Sequence, residues 1–207
     1  MSKLQDVENA VVSGKSKLVA GLVQEALDEG CSAPDILNGM INAMGIVGER
    51  FKKNEIFVPE MLVAARAMKK GVDVLKPHLA SGSAGVCGKA IIGTVAGDLH
   101  DIGKNLVAMM IESAGFEVID LGVDVPVEKF IETVKANPDV KIVGCSALLT
   151  TTMPALKSTV EALNSEDFRS HIKVMVGGAP ITQEFADEIG ADAYTPDAAS
   201  AAQKAKE

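Results

Sequence analysis

The stretch Ala90-Ile91-Ile92-Gly93-Thr94-Val95-Ala96, followed by Gly97-Asp98-Leu99-His100-Asp101-Ile102-Gly103-Lys104-Asn105 and then by Leu106-Val107-Ala108-Met109-Met110-Ile111, decides how the chain folds. The first run is almost wholly apolar, as in a strand buried on both faces of a parallel sheet. The last run reads as a helix. One histidine, two carboxylates and two glycines therefore occupy the turn between them. In an open α/β sheet, ligands bind at the loops that follow the carboxyl ends of the strands. A carboxylate two positions before a lone histidine suggests an imidazole oriented as a metal ligand.

Downstream, the same strand-then-helix alternation repeats to the end of the chain. The pattern predicts strands at about Ala90–Ala96, Glu117–Leu121, Lys141–Cys145, Lys173–Gly177 and Asp192–Tyr194. Helices fill the gaps, at about Lys104–Ala114, Val127–Ala136, Pro154–Leu163, Thr182–Ile189 and Ala198–Lys206. Short connections and apolar strands indicate a doubly wound, flavodoxin/Rossmann-like sheet of five parallel strands.

Upstream, residues 1–79 read as helical throughout. Leu18, Leu22, Val23, Ala26 and Leu27 recur at helical spacing, and Gly30 stops that helix. Ser32-Ala33-Pro34-Asp35 opens the next, whose stripe is Ile36, Leu37, Met40, Ile41, Met44, Val47 and Phe51. Pro59 opens another, with Met61, Leu62, Ala65, Met68, Val72 and Leu75 on one face. The expectation is a four-helix bundle over 1–79, a small-residue linker over 80–88, and the α/β domain over 89–207.

Composition narrows the class. The chain has 207 residues, 47% hydrophobic and 23% charged, so it is globular. Aromatics are 3% with no Trp, which leaves an aliphatic core with nine Met as gap fillers. A net charge of −8 argues against a nucleic-acid partner. No apolar run is long enough to span a membrane, and the first residues lack a signal-peptide apolar region. Three scattered cysteines, Cys31, Cys87 and Cys145, form no zinc pattern and suit a reducing cytoplasm.

Three loops should meet at the carboxyl edge of the sheet. The first carries Asp98, His100 and Gly103. The second, Ser146-Ala147-Leu148-Leu149-Thr150-Thr151-Thr152, has four hydroxyls in seven residues, and the third is Gly177-Gly178-Ala179-Pro180. Nucleotide motifs fit poorly. There is no G-x-G-x-x-G after the first strand, the interval from Gly97 to Gly103-Lys104 is one residue too long for a P-loop, and Asn105 stands where a Ser or Thr is required. A zinc site needs more ligands than this loop offers. A metal held by one protein ligand must arrive already bound to something else, and a macrocyclic cofactor meets that condition.

Asp98-x-His100-x-x-Gly103, then Ser146-x-Leu148, then Gly177-Gly178 resembles the three-part signature of cobalamin-binding domains. The segment Asp98–Asn105 is most similar to cobalamin-dependent methionine synthase and to the corrinoid proteins of methylamine, methanol and betaine methyltransferase systems. The N-terminal bundle is similar too. The resemblance implies that His100 is the lower axial ligand to cobalt, that Asp98 accepts a hydrogen bond from its second ring nitrogen, and that Thr152, at a position where the family has serine, extends the relay. It implies further cofactor contacts from Gly97, Asp101, Ile102, Gly103, Ser146, Leu148, Thr150, Gly177 and Gly178. The glycines would let the nucleotide tail pass close to the backbone. Phe51 and Val58 match positions that cover the upper face of the corrin.

Plainer uses exist for each residue. Asp101 suits a helix N-terminus, Ser146 to Thr152 a polar capping turn, and Phe51 a bundle core. His78 and His171 read as structural or solvated. The resemblance implies a corrinoid methyl carrier, not catalytic alone. Its partners would be a substrate-specific methyltransferase, a second methyltransferase acting on tetrahydrofolate or a thiol, and a reductive activase. A cobalamin sensor and the small subunit of an adenosylcobalamin mutase are the alternatives; the acidic chain and the helical bundle count against them in turn.

Overall fold

A computed structural model describes residues 2–79 and 87–207. It divides into two compact units. One runs to Cys87 and takes in Ser113–Gly115; the other comprises Gly88–Glu112 and Phe116–Glu207. Most of the expected linker, 80–86, lies outside the described residues, and its last residue, Gly88, already begins the first strand.

Among the described residues the first unit holds four α-helices: α1 (Lys3–Val12), α2 (Ser16–Asp28), α3 (Ala33–Lys52) and α4 (Val58–Leu75). Their ends follow from local chemistry. Ser32 caps α3, its hydroxyl accepting from the Asp35 N–H at 3.2 Å, with Pro34 in the first turn. The turn into α4 passes through Asn54 at φ 56°, and Glu60 reaches back to accept the Phe57 N–H at 3.1 Å. The α3 stripe is buried from Ile36 to Val47, while Phe51 is half-buried. Gly71 of α4 meets Met40 of α3 so closely that an added Cβ would stand 2.3 Å from its Cε. Fully burying a side chain like Met40 contributes about 1.5–3 kcal/mol. In α2 the buried residues are Val19, Val23 and Ala26, and Leu18 is 55% exposed. Of the five residues read from sequence, Val23 and Ala26 are buried, Leu22 and Leu27 are half-buried, and Leu18 alone lies outside the packed face, where Val19 takes its place.

The second unit is a doubly wound sheet. Its strands are β1 (Gly88–Thr94), β2 (Phe116–Asp120), β3 (Val140–Ser146), β4 (Lys173–Gly177) and β5 (Ala193–Tyr194). The helices are α5 (Ile102–Ser113), α6 (Val127–Ala136), α7 (Met153–Asn164), α8 (Gln183–Ile189) and α9 (Ala198–Lys206). The order is β2-β1-β3-β4-β5, with every neighbouring pair parallel. One face packs Ile91, Val143, Cys145, Val174 and Val176 under Phe130, Val134, Leu156, Val160 and Ile189. Ala90, Ile92, Ile142 and Met175, which alternate with these, are buried as well, so both faces are covered. Burial pushes the Cys145 thiol up to about 12, leaving it an inert core group. Strand order reverses between β1 and β3, and the loops after those two strands open at that switch point.

Candidate functional site

The loop after β1 turns through Gly97, at φ 80°, and sends the Asp98 side chain inward. Asp98 is 0% exposed. Four donors surround its carboxylate. Oδ1 accepts the His100 N–H at 3.0 Å and ring Nδ1 at 2.8 Å; Oδ2 accepts the Leu148 N–H at 2.7 Å and the Thr152 hydroxyl at 2.8 Å. Burial alone pushes this carboxyl up, but the four hydrogen bonds outweigh it. They hold Asp98 well below the usual carboxylate range.

An ionised Asp98 fixes the imidazole. Because the carboxylate only accepts, Nδ1 carries a proton, and in the neutral ring Nε2 presents a lone pair. The His100 side chain is 50% exposed, so that lone pair faces outward. The main chain of His100 is held too, its carbonyl accepting the Thr94 hydroxyl at 2.9 Å. Among the described residues, no three His, Cys, Asp or Glu side chains cluster as a protein-only metal site. One oriented imidazole with a free nitrogen fits a metal delivered inside a macrocycle.

The rim of the site is apolar. Leu99 and Ile102 are 72% and 78% exposed, and Leu148 and Leu149 are 39% and 41% exposed. Leu99, Leu148 and Leu149 stand on the two loops that meet at Asp98, and Ile102 opens α5. Large apolar side chains left open beside a metal-ligand geometry mark a surface for an apolar ligand. Leu99 and Leu149 carried no sequence signal beyond their position.

The other expected residues are placed as follows. Ser146 ends β3, pairing with Thr94 and Gly177 on either side, and Thr150 is exposed on the turn that leads to Thr152. Gly103, in the first turn of α5, has open space where a Cβ would go. Gly178 has a reason internal to the fold: at φ 135°, an added Cβ would stand 1.7 Å from the Ala147 carbonyl oxygen. The third loop thus lies directly against the second. Asp101 serves the helix start, its carbonyl accepting the Asn105 N–H at 2.7 Å and its carboxylate accepting the Asn105 side chain at 3.1 Å. Phe51 near the end of α3 and Val58 at the start of α4 are both half-buried in the helical unit.

Two supports were not foreseen. Lys104 is 3% exposed, and its Nζ donates to both Asp120 oxygens at 2.6 Å and to Asn105 Oδ1 at 2.7 Å. The β2–α6 loop also grips the histidine loop. The Gly97 N–H donates to Asp124 Oδ1 at 2.7 Å, and the Asp124 N–H donates to the Asp98 carbonyl at 2.9 Å.

Residues 88–204 match the family described as B12 binding domain, and residues 4–76 match a second family with the same description. A dimethylamine corrinoid protein of Methanosarcina barkeri is 46% identical over 99% of this chain and 96% of its own length. A corrinoid protein of Desulfitobacterium hafniense is 41% identical over 99% of this chain and 96% of its own. Among solved structures, a cobalamin-binding protein from D. hafniense superposes with a TM-score of 0.82 at 33% identity, covering 97% of this chain and 96% of that one. The methanol:cobalamin methyltransferase complex of M. barkeri gives 0.83 at 28% identity, covering 97% and 77%.

Proposed function

The chain belongs to the B12-binding-domain family of corrinoid proteins, and from that premise we propose that it carries its cofactor on His100 as a methyl shuttle between two methyltransferases. Cobalamin or a related corrinoid, when bound, supplies the cobalt that accepts and donates the methyl group. Corrinoid proteins of this kind work in methylamine and methanol methyltransferase systems, so a methyltransferase is a partner. The finer assignment is ours: one partner specific for the methylated substrate, a second serving tetrahydrofolate or a thiol, and a reductive activase that restores a lapsed cofactor.

The observation that carries the axial role is the unengaged Nε2 of His100 on a ring whose Nδ1 is bound to a buried carboxylate. Asp98 keeps the ring's orientation and tautomer. Thr152 steadies Asp98, and the hydrogen-bonded chain His100–Asp98–Thr152 could hold or pass a proton at the imidazole. Leu99, Ile102, Leu148 and Leu149 provide an apolar seat that excludes water. Ser146 and Thr150 would meet the displaced nucleotide base, and the open face at Gly103 its tail. Phe51 and Val58 would cover the opposite face of the corrin.

The test is the visible spectrum of purified protein loaded with methylcobalamin, wild type against His100→Ala. The expected result is a base-off spectrum with a histidine ligand in the wild type and loss of that ligand in the variant. Identical spectra overturn the assignment.

A further inference from the structure

We propose that Asp124 is a positioning residue for His100, acting through the backbone of Asp98. This rests on the reading of His100 as the axial ligand.

The case is geometric. Asp124 lies on the loop after β2, not on any of the three loops that carry the family signature. It adopts φ 52°, a left-handed conformation that Asp tolerates better than most side chains. From there one residue makes two opposed contacts. Its carboxylate takes the Gly97 N–H at 2.7 Å, a charge-assisted bond, and its own N–H gives to the Asp98 carbonyl at 2.9 Å. The Gly97–Asp98 segment is therefore clasped at both ends by a single residue. The same loop is pinned to β1, with the Thr94 N–H donating to the Gly122 carbonyl at 3.0 Å and the Val125 N–H donating to the Thr94 carbonyl at 2.9 Å. Lys104 and Asp120 hold its beginning, where Asp120 also accepts the Gly122 N–H at 2.8 Å.

The clasp matters because Asp98 must satisfy four donors at once. Two of them, the Leu148 N–H and the Thr152 hydroxyl, come from the second loop, so the carboxylate has one position that serves all four. A loop free to swing by an ångström would lose either the second loop or the imidazole. Asp124 removes that freedom through the main chain of Gly97 and Asp98, with no hydrogen bond to the ring.

The variants separate charge from backbone. Asp124→Gly keeps the left-handed backbone and removes the acceptor; Asp124→Asn keeps an acceptor of the same reach. Protein labelled with 15N-histidine is loaded with cob(II)alamin, and the axial-nitrogen splitting is read by electron paramagnetic resonance. A doublet identifies a 15N-histidine ligand, distinct from the triplet of the cofactor's own 14N base. The ratio of histidine-ligated to unligated cofactor should fall about tenfold in Asp124→Gly, at the lower end of losses seen when ligand-orienting groups are removed. Asp124→Asn should recover it. An unchanged ratio in Asp124→Gly overturns the proposal.

A wild type lacking the doublet overturns the axial assignment instead, and cofactor-free protein then decides Asp124 separately. The Gly97 amide should exchange with solvent more slowly than that of Leu99, and the His100 ring 15N shifts should report one tautomer that Asp124→Gly loses. A Gly97 amide as fast as Leu99 in the wild type, or identical ring shifts in the variant, overturns the positioning role. The amide comparison needs no variant to fold.

Discussion

The Thr152 hydroxyl donates to the Asp98 carboxylate at 2.8 Å across 54 positions of sequence, inside the protein. Thr152 is 5% exposed, and the same oxygen lies 3.3 Å from the Leu149 N–H. Thr152→Val keeps the shape and deletes both contacts. It should cost about 1–3 kcal/mol, because a buried acceptor loses a partner with no water to replace it. Thr152→Ser keeps the hydroxyl and should cost about 1 kcal/mol or less for the missing methyl. Urea denaturation midpoints of the two variants check the contrast.

Asp98→Asn should be more damaging than its size suggests. Each carboxylate oxygen faces a backbone N–H, one from His100 and one from Leu148. Either orientation of an amide sets its NH2 against one of them. The expected loss is about 2 kcal/mol or more.

The pH dependence follows from the same group. The folded Asp98 titrates well below its unfolded counterpart, so the unfolded chain binds the extra proton as pH falls. Stability from Asp98 is complete above the ordinary carboxylate range, near pH 4, and is lost as pH falls toward the folded value. Wild type should lose stability between about pH 5 and 2 more steeply than Asp98→Asn, measured by chemical denaturation at each pH.

Lys104 and Asp120 should respond asymmetrically. The lysine side chain is 2% exposed and the aspartate side chain 41%. Lys104→Met leaves a carboxylate that water can reach and should change stability by about 1 kcal/mol or less. Asp120→Ala strands a buried ammonium and should cost about 3–5 kcal/mol. Paired thermal and urea melts decide this.

Gly103 and Gly178 should separate likewise. Gly178→Ala forces a Cβ into the Ala147 carbonyl at a left-handed φ and should abolish cooperative folding or cost more than about 3 kcal/mol. Gly103→Ala meets open space in a helix and should stabilise cofactor-free protein by about 0.5–1 kcal/mol. Cobalamin titration should show it binding more weakly than wild type, because the face is open for the ligand.

The elements were legible because each apolar run is bounded by its own punctuation. α6, β4 and α9 begin and end at the residues read from sequence. Asp98, His100 and Thr152 were singled out through the resemblance to cobalamin-binding domains, and hydrogen bonds join them in the structure. At the start of α2 the buried residue was not legible, since Leu18 and Val19 are equally apolar and only packing chooses between them. Asp124 and Lys104 were hidden for a different reason. Each looks like an ordinary surface charge, and its partner is brought near by the pairing of β2 with β1. Half of the apolar rim was hidden too, because Leu99 and Leu149 differ from core leucines only in being exposed.

The distance in sequence between Asp98 and its donors also sets a timetable. On the ribosome the carboxylate emerges with β1, yet the Leu148 N–H lies 50 positions later and the Thr152 hydroxyl 54. At roughly 5–20 residues per second, that interval lasts on the order of 3–10 seconds. Until it ends, burying Asp98 leaves a charge short of two of its four donors, so the loop stays open to water. A nascent chain halted before Leu148 thus holds only the two local donors from His100, and the Asp98 carboxylate gains its full set only after β3 and the turn that follows it have arrived.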